Sequence, residues 1–336
     1  MRGENCVNRV SVIGAGAWGT ALALTAFRAG AKVTLWSLSL DEVETINHRH
    51  ENVYRLPGIA LDPSLQATTD PLEAAKADIV ILAPPAQYMR STCETFQKVL
   101  SPDAALIIAS KGIEKETSLL MSEVIREYFP HNPLLVLSGP SFASDVAKKL
   151  PTAVALASEN IATSRKIATL LSSQYFRLYA SKDIIGTQVG GACKNIIAMA
   201  CGIIEGRELG DNARAALVTR GLAEITRLGR AMGGKLETFL GLSGVGDITL
   251  TSLSSQSRNK SFGFSLGRGT PLNELLTNKK TLTEGVHTVS GTIALAVKHQ
   301  VEMPITYAID ELLNGGGSVE VLTQNLLNRP LKEEIA

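Results

Sequence analysis

The 336-residue sequence predicts an α/β protein in two parts: a doubly wound parallel sheet over residues 1–182, then an all-helical domain over residues 183–336. Three observations predict it. The first strand-like segment, Arg9–Ile13, ends in a glycine-spaced turn followed by a helix rich in alanine and leucine. The strand-like segments that follow, as far as residue 157, are apolar throughout rather than alternating, which suits a sheet covered on both faces. Past about residue 180 no convincing strand pattern occurs and the apolar spacing is helical.

Taken in order, Arg9–Ile13 is a strand, Gly14-Ala15-Gly16-Ala17-Trp18-Gly19 a turn, and Thr20–Ala29 a helix. This is GxGxxG in the setting that motif requires. Gly14 allows the tight turn, Gly16 lets the backbone reach a pyrophosphate, and Gly19 lets the helix sit close to the sheet, with the phosphate on the helix N-terminus. A Rossmann-like, dinucleotide-binding sheet is the expectation; a merely glycine-rich turn is the bland alternative. Lys32–Trp36 reads as the second strand, and Asp41 is expected to N-cap a helix running to about His50. Further strands are expected at 78–83, 104–109, 134–137 and 153–157, with helices near 71–76, 86–99, 118–127 and 160–171.

Several strand ends carry unusual residues: Pro84-Pro85, then Ser110-Lys111-Gly112, then Ser138-Gly139-Pro140-Ser141-Phe142-Ala143. Ligands of open α/β sheets bind beyond the carboxyl ends of the strands. Lys111 and the Gly139–Ser141 turn are therefore expected to face the crevice of the glycine loop, although a lysine after a strand is more commonly a solvated loop residue.

The helical part shows apolar patterns at 187–204, 211–232, 284–299, 304–314 and 318–327. In the first of these, Lys194 and Asn195 are the only strongly polar side chains between Val189 and Ile204. An ammonium group in such a helix either snorkels to the surface or, if buried, lowers its pKa and acquires a carboxylate and a ligand. Gly190 and Gly191, one turn before it, weaken a helix and are expected to admit another backbone or a bound molecule. Lys194 is therefore a catalytic candidate. Leu242-Ser243-Gly244-Val245-Gly246-Asp247 reads as a glycine-bounded turn presenting one carboxylate, followed by Thr251 and by Ser254–Asn259, which by composition alone is a flexible surface loop.

The totals constrain partners. With 33 basic and 32 acidic residues the net charge is +1, which gives no bulk attraction to nucleic acid or anionic lipid, so an anionic ligand must be caught locally. Cys6, Cys93, Cys193 and Cys201 lack CxxC spacing and do not cluster with the five histidines, so neither a metal site nor a disulfide framework is expected. Met1–Asn5 runs into the first strand without a signal-peptide core, and the 189–204 run is too short and carries a lysine too centrally to span a bilayer. A cytoplasmic enzyme is the expectation.

With these residues in view, the chain resembles the bacterial NAD(P)-dependent glycerol-3-phosphate dehydrogenases. The likeness rests on GAGAWGTALA (14–23), SKGIE (110–114), LSGPSFA (137–143), IIGTQVGGACKNIIAMA (184–200), GDNARAALVTRGLAE (210–224), GLSGVGDITLT (241–251) and SRN (257–259), in that order. It implies a Rossmann domain followed by a helical substrate domain. It also implies reversible hydride transfer between NAD or NADP and dihydroxyacetone phosphate or sn-glycerol 3-phosphate, feeding phospholipid synthesis, often by a homodimer. The same resemblance implies Lys194 as the acid/base residue with Asp247 as its partner. It implies Lys111, Gly139, Ser141, Lys194, Asp247, Thr251, Ser257, Arg258 and Asn259 on the substrate, and Trp18, Lys111, Ala143, Arg258 and Glu284 on the dinucleotide, beside Gly14, Gly16, Ala17 and Gly19 of the turn. Physical chemistry agrees: a protonated lysine beside a ketone stabilises and protonates the developing oxyanion, and a planar guanidinium suits a phosphate.

Two rivals are another β-hydroxyacid or sugar-phosphate dehydrogenase of related fold and a non-catalytic dinucleotide-sensing module. The choice between NAD and NADP is usually made just after the second strand, by an acid on the ribose hydroxyls or an arginine on the 2′-phosphate. Here that place reads Ser37-Leu38-Ser39-Leu40, with neither. Both cofactors are expected to work, Ser39→Arg to favour NADP, and any strong NADP preference to come from outside the turn, from Arg49 or Arg55.

Overall fold

The computed structural model describes residues 8–277, 284–328 and 330. The readings made of Met1–Asn5 and Cys6, and the outermost ends of both expected domains, lie outside these residues. Eight strands form one sheet: β1 (Arg9–Ile13), β2 (Lys32–Trp36), β3 (Gln66–Thr68), β4 (Ile79–Leu82), β5 (Ala105–Ile108), β6 (Leu134–Ser138), β7 (Thr152–Ala157) and β8 (Phe176–Ser181). Their order is β3-β2-β1-β4-β5-β6-β7-β8. The order reverses between β1 and β4, so the ends of those strands open the crevice where such sheets bind ligands.

The central strands are buried on both faces because they are apolar on both: every residue of β4, β5 and β6 is buried. The two strands passed over by periodicity, β3 and β8, are the outer edges of the sheet. Edge strands are short or half polar, and β8 leaves Arg177, Tyr179 and Ala180 exposed. One pairing departs from the expected parallel sheet: β7 runs antiparallel to β6. The helix between them, α6 (below), has five residues and is about 8 Å long. It cannot return the chain along a strand of about 17 Å, so β7 starts where β6 ends.

The helices of this part are α1 (Ala17–Arg28), α2 (Leu40–Arg49), α3 (Pro71–Ala74), α4 (Met89–Phe96), α5 (Met121–Tyr128), α6 (Ala143–Ala147) and α7 (Ile161–Leu171). Asp41 is not the cap of α2. Ser39 takes that place, accepting the Glu42 N–H, and Asp41 stands exposed in the first turn. A hydroxyl in extended backbone serves this position as well as a carboxylate does. Arg28 Nη1 and Nη2 bond the Val146 and Ala147 carbonyls at 3.1 and 2.7 Å, tying the C-terminal end of α6 to α1.

Two residues after β8 begins α8 (Ile184–Gly206), followed by α9 (Gly210–Ala231), α10 (Leu236–Phe239), α11 (Asp247–Leu253), α12 (Arg258–Gly267), α13 (Leu272–Thr277), α14 (Glu284–Lys298), α15 (Pro304–Asn314) and α16 (Val319–Leu327). Apolar spacing located α8, α9 and α14–α16 and overlooked the four short helices between. The serine cluster is not a loop throughout: Ser257 N-caps α12 by accepting the Lys260 N–H. Asp183 caps α8 through Oδ1 on Gly186 N, while its Oδ2 takes Lys235 N–H and the Thr238 hydroxyl.

α8 is the axis of the helical part. It is the one described helix long and apolar enough to cross a membrane, and 89% of its most apolar stretch is buried inside the protein. Gly202 on α8 and Gly263 on α12 put backbone against backbone. A Cβ at Gly202 would lie 2.0 Å from the Lys260 carbonyl, and one at Gly263 1.9 Å from that of Met199.

Candidate active site

The glycine loop is built as its spacing requires. Gly14 has φ +110°, closed to most side chains, and a Cβ at Gly19 would lie 1.9 Å from the Gly14 carbonyl oxygen. Gly16 differs: nothing lies within 4 Å of a Cβ placed there, so its open face is space above the start of α1. α1 has no side-chain cap and no acidic residue in its first turn, so its first N–H groups stay available to an anion. Trp18 follows with a buried indole N–H that has no partner among the described residues. An N-terminal amide nest with an open glycine face and an unpaired donor fits a dinucleotide pyrophosphate.

At the carboxyl ends of β5 and β6 lies an ion cluster. The Lys194 ammonium donates to Asp247 Oδ1 and, at 2.7 Å, to Thr251 Oγ1. Lys111 Nζ, from the loop after β5, donates to Asp247 Oδ2 at 2.6 Å and to the Gly139 carbonyl at 3.0 Å. Ser141 Oγ bonds the same carbonyl at 3.0 Å. Lys194 is 8% exposed and Asp247 0%. Burial pushes the Lys194 pKa down to about 8, with Lys111 adding to that push and Asp247 opposing it. Two ammonium groups share one carboxylate, so the cluster carries excess positive charge beside the crevice.

Local sequence explains the approach. A Cβ at Gly190 would lie 2.2 Å from the Ser243 carbonyl, and one at Gly191 2.5 Å from Ser138 Oγ, so the pair admits another backbone and a strand end, as expected of it. Ser243 lies in a π-helical turn, Leu242–Gly246, that runs directly into α11 and sets Asp247 at its head. Gly139, at φ +150°, lies against β7: a Cβ there would be 2.9 Å from the Val154 Cα.

The remaining predicted residues form the rim. Glu284 opens α14; its carboxylate accepts the Ala86 N–H just after Pro84-Pro85, which brings the helical part onto the end of β4. Burial raises its pKa, and Arg258, Lys111 and Lys194 pull the other way. Arg258 is exposed at the first position of α12 and makes no hydrogen bond or ion pair among the described residues. Asn259 is engaged on both sides, donating to Asn195 Oδ1 at 3.0 Å and accepting Gly285 N–H at 3.1 Å. Ser257 is 3% exposed and its hydroxyl caps α12. Ala143 heads α6 and is half-buried against the same core as Ala17 and Trp18. The sequence reading gave no role to Asn195, Ser138 or Ser243. Adjacency to Lys194 and Gly139 was the only signal for the first two.

A glycine-loop sheet and a buried lysine–carboxylate pair at the carboxyl ends of its strands define the class of two-domain, dinucleotide-dependent dehydrogenases. The models of the NAD-dependent glycerol-3-phosphate dehydrogenase N-terminus and C-terminus match residues 9–164 and 183–324. The chain is 49% identical to glycerol-3-phosphate dehydrogenase [NAD(P)+] of Rhodospirillum rubrum over 98% of its own length and 94% of the relative. The Caulobacter vibrioides protein of that name is 46% identical over 97% and 98%. The crystal structure of glycerol-3-phosphate dehydrogenase from Coxiella burnetii superposes with TM-score 0.91 at 37% identity, covering 96% of this chain and 99% of that one. D-mandelate dehydrogenase, at 17% identity and TM-score 0.62 over 94% of this chain and 99% of that one, shares the fold alone. The chain belongs to the NAD-dependent glycerol-3-phosphate dehydrogenase family.

Proposed function

We propose that the chain is an NAD(P)-dependent oxidoreductase that interconverts dihydroxyacetone phosphate and sn-glycerol 3-phosphate, a reaction that supplies glycerophospholipid synthesis. The observation that carries this reading is the Lys194–Asp247–Thr251–Lys111 cluster, buried across the crevice from an open glycine loop. When bound, the nicotinamide supplies the hydride. Gly14, Gly16, Ala17 and Gly19 would hold the pyrophosphate by backbone N–H groups, with Trp18, Lys111, Ala143, Arg258 and Glu284 around the dinucleotide.

Lys194 would give its proton to the carbonyl oxygen as negative charge develops there, and take it back in the reverse direction. Asp247 keeps that lysine charged against burial, and Thr251 fixes its direction. The substrate's phosphate would meet Arg258, whose free guanidinium can bond two oxygens at once, with Lys111, Gly139, Ser141, Ser257 and Asn259 around the rest. A net-neutral chain needs such a local excess of positive charge to bind a dianion. We also propose a boundary at residues 182 and 183 between dinucleotide and substrate domains, a homodimer, and a cytoplasmic setting.

NADH absorbance followed with dihydroxyacetone phosphate tests the activity. It should fall quickly with that substrate, only slowly with unphosphorylated dihydroxyacetone, and hold steady with β-keto acids. Turnover of a keto acid instead would select the rival dehydrogenase reading, and NADH binding without turnover of either would select the sensing module.

A further inference from the structure

The turn after β2 holds a carboxylate that its sequence does not show. Glu42, in the first turn of α2, is 6% exposed and folds back so that Oε2 accepts the Ser37 hydroxyl at 2.5 Å. Its other oxygen accepts Arg55 Nε at 2.7 Å. Both oxygens are therefore occupied, and the charge that would bond a ribose 2′-hydroxyl and repel a 2′-phosphate is matched by a guanidinium.

The position of Arg55 is fixed from a second side. Asn52, fully buried, donates to the Ala15 carbonyl inside the glycine loop at 2.8 Å and to Thr20 Oγ1 at 2.9 Å, and its own Oδ1 accepts the Arg55 N–H at 3.2 Å. The glycine loop in turn bonds the end of β2 through Gly14 N–H to the Trp36 carbonyl at 3.0 Å. Arg55 thus stands over the gap between the glycine loop and the end of β2, where an adenosine ribose lies in this fold. Its side chain is 59% exposed, and its two Nη groups make no hydrogen bond among the described residues. Arg49 is placed otherwise, at the far end of a ten-residue helix and so about 15 Å away from Ser39. Leu38 and Leu40, 84% and 66% exposed, line the same turn and offer no donor.

We propose that Arg55, anchored by Glu42 and Asn52, is the residue that admits the 2′-phosphate, so that this one ion pair sets the balance between NADP and NAD. The inference rests on the dinucleotide reading above. With NADP the Nη groups take the phosphate while Nε stays on Glu42; with NAD the pair remains closed and the phosphate bonds are not made.

Binding titrations without substrate test it, using NADPH, NADH, adenosine 2′,5′-bisphosphate and AMP on wild type, Arg55→Ala and Arg55→Gln, with circular dichroism to check folding. Loss of the charge-assisted bonds should weaken NADPH and the bisphosphate at least tenfold, and the exposed Glu42 carboxylate should add to that loss. NADH and AMP should change less than about threefold. Equal losses on all four ligands would overturn the proposal, because Arg55 would then serve only the loop or the adenosine. Unchanged NADPH affinity in both variants would overturn it too. Wild-type protein that bound neither NADH nor NADPH would remove the dinucleotide reading itself.

Discussion

The two walls of the crevice are made of different material. On the sheet side, the glycine loop works through backbone: Gly14, Gly16 and Gly19 carry no side chain, and what matters is what a Cβ would hit. On the helical side, the site is made of charge: Lys194 and Asp247 hold one another in a place water hardly reaches, and Lys111 joins them from the loop after β5. A backbone site tolerates no added atom where it is packed. A charge site tolerates an isosteric change of shape and fails when one partner is removed. Fold and chemistry should therefore respond to mutation in opposite ways on the two walls.

Gly19→Val should show the largest effect. Its Cβ would lie 1.9 Å from the Gly14 carbonyl, a backbone atom that cannot move aside. Overpacking at the severe end costs at least about 3 kcal/mol, so a thermal melt should shift down by roughly 6–12 °C for a sheet domain of this size. Gly16→Ala, which points into open space, should melt within about 2 °C of wild type while losing dinucleotide affinity. A Gly19 variant as stable as the Gly16 one would erase the distinction between packed and open glycines.

On the other wall, Lys194→Met should leave the melt nearly unchanged, because Lys111 still pairs with Asp247, and lower kcat by at least about a hundredfold, because a thioether fills the stem's volume but carries no proton. Asp247→Asn acts through the same ammonium, so the double variant should be little worse than Lys194→Met alone. Retention of more than a tenth of wild-type turnover by folded Lys194→Met would remove the lysine from the chemistry. Additive losses in the double variant would separate the two residues.

Arg258→Ala comes next. It should raise KM for dihydroxyacetone phosphate about tenfold or more, the value of one charge-assisted pair, and hardly affect the poor substrate dihydroxyacetone. Equal losses on both would assign Arg258 to the dinucleotide.

The last effect, on pH, needs no mutation. With the Lys194 pKa lowered to about 8, its donor form is lost as pH rises through 8. Ketone reduction should fall across that range and alcohol oxidation should rise, each by about tenfold per pH unit on the limiting limb. Reduction rates that stay flat from pH 7 to 10 would place the proton source elsewhere.

Much of the fold was legible because central strands and long helices announce themselves by composition. β4, β5 and β6 are apolar on both faces, and α8 between Val189 and Ile204 is apolar except for Lys194 and Asn195. What escaped was whatever is short or sits at an edge: β3, β8, the five-residue α6, and the four small helices α10–α13, whose few turns carry too little periodicity to read. The antiparallel β7 escaped as well, since nothing in its own residues records the length of the helix before it.

The site divides the same way. The sequence by itself determined the glycine loop, because glycine spacing is a local statement about backbone torsion and contact. It also marked Lys194 and the two glycines before it, because an ammonium in an apolar helix is anomalous wherever that helix lies. Only the tertiary structure decided that Asp247 and Lys111, 53 and 83 residues away along the chain, would share that ammonium's neighbourhood. It likewise decided that Glu42 would turn back onto Ser37 and meet Arg55. Pairings of this kind depend on Coulomb attraction at a few ångströms, and for the Lys194 cluster in a medium from which water is excluded. Only the packing of separate elements creates those separations and that dryness, and no stretch of sequence contains either.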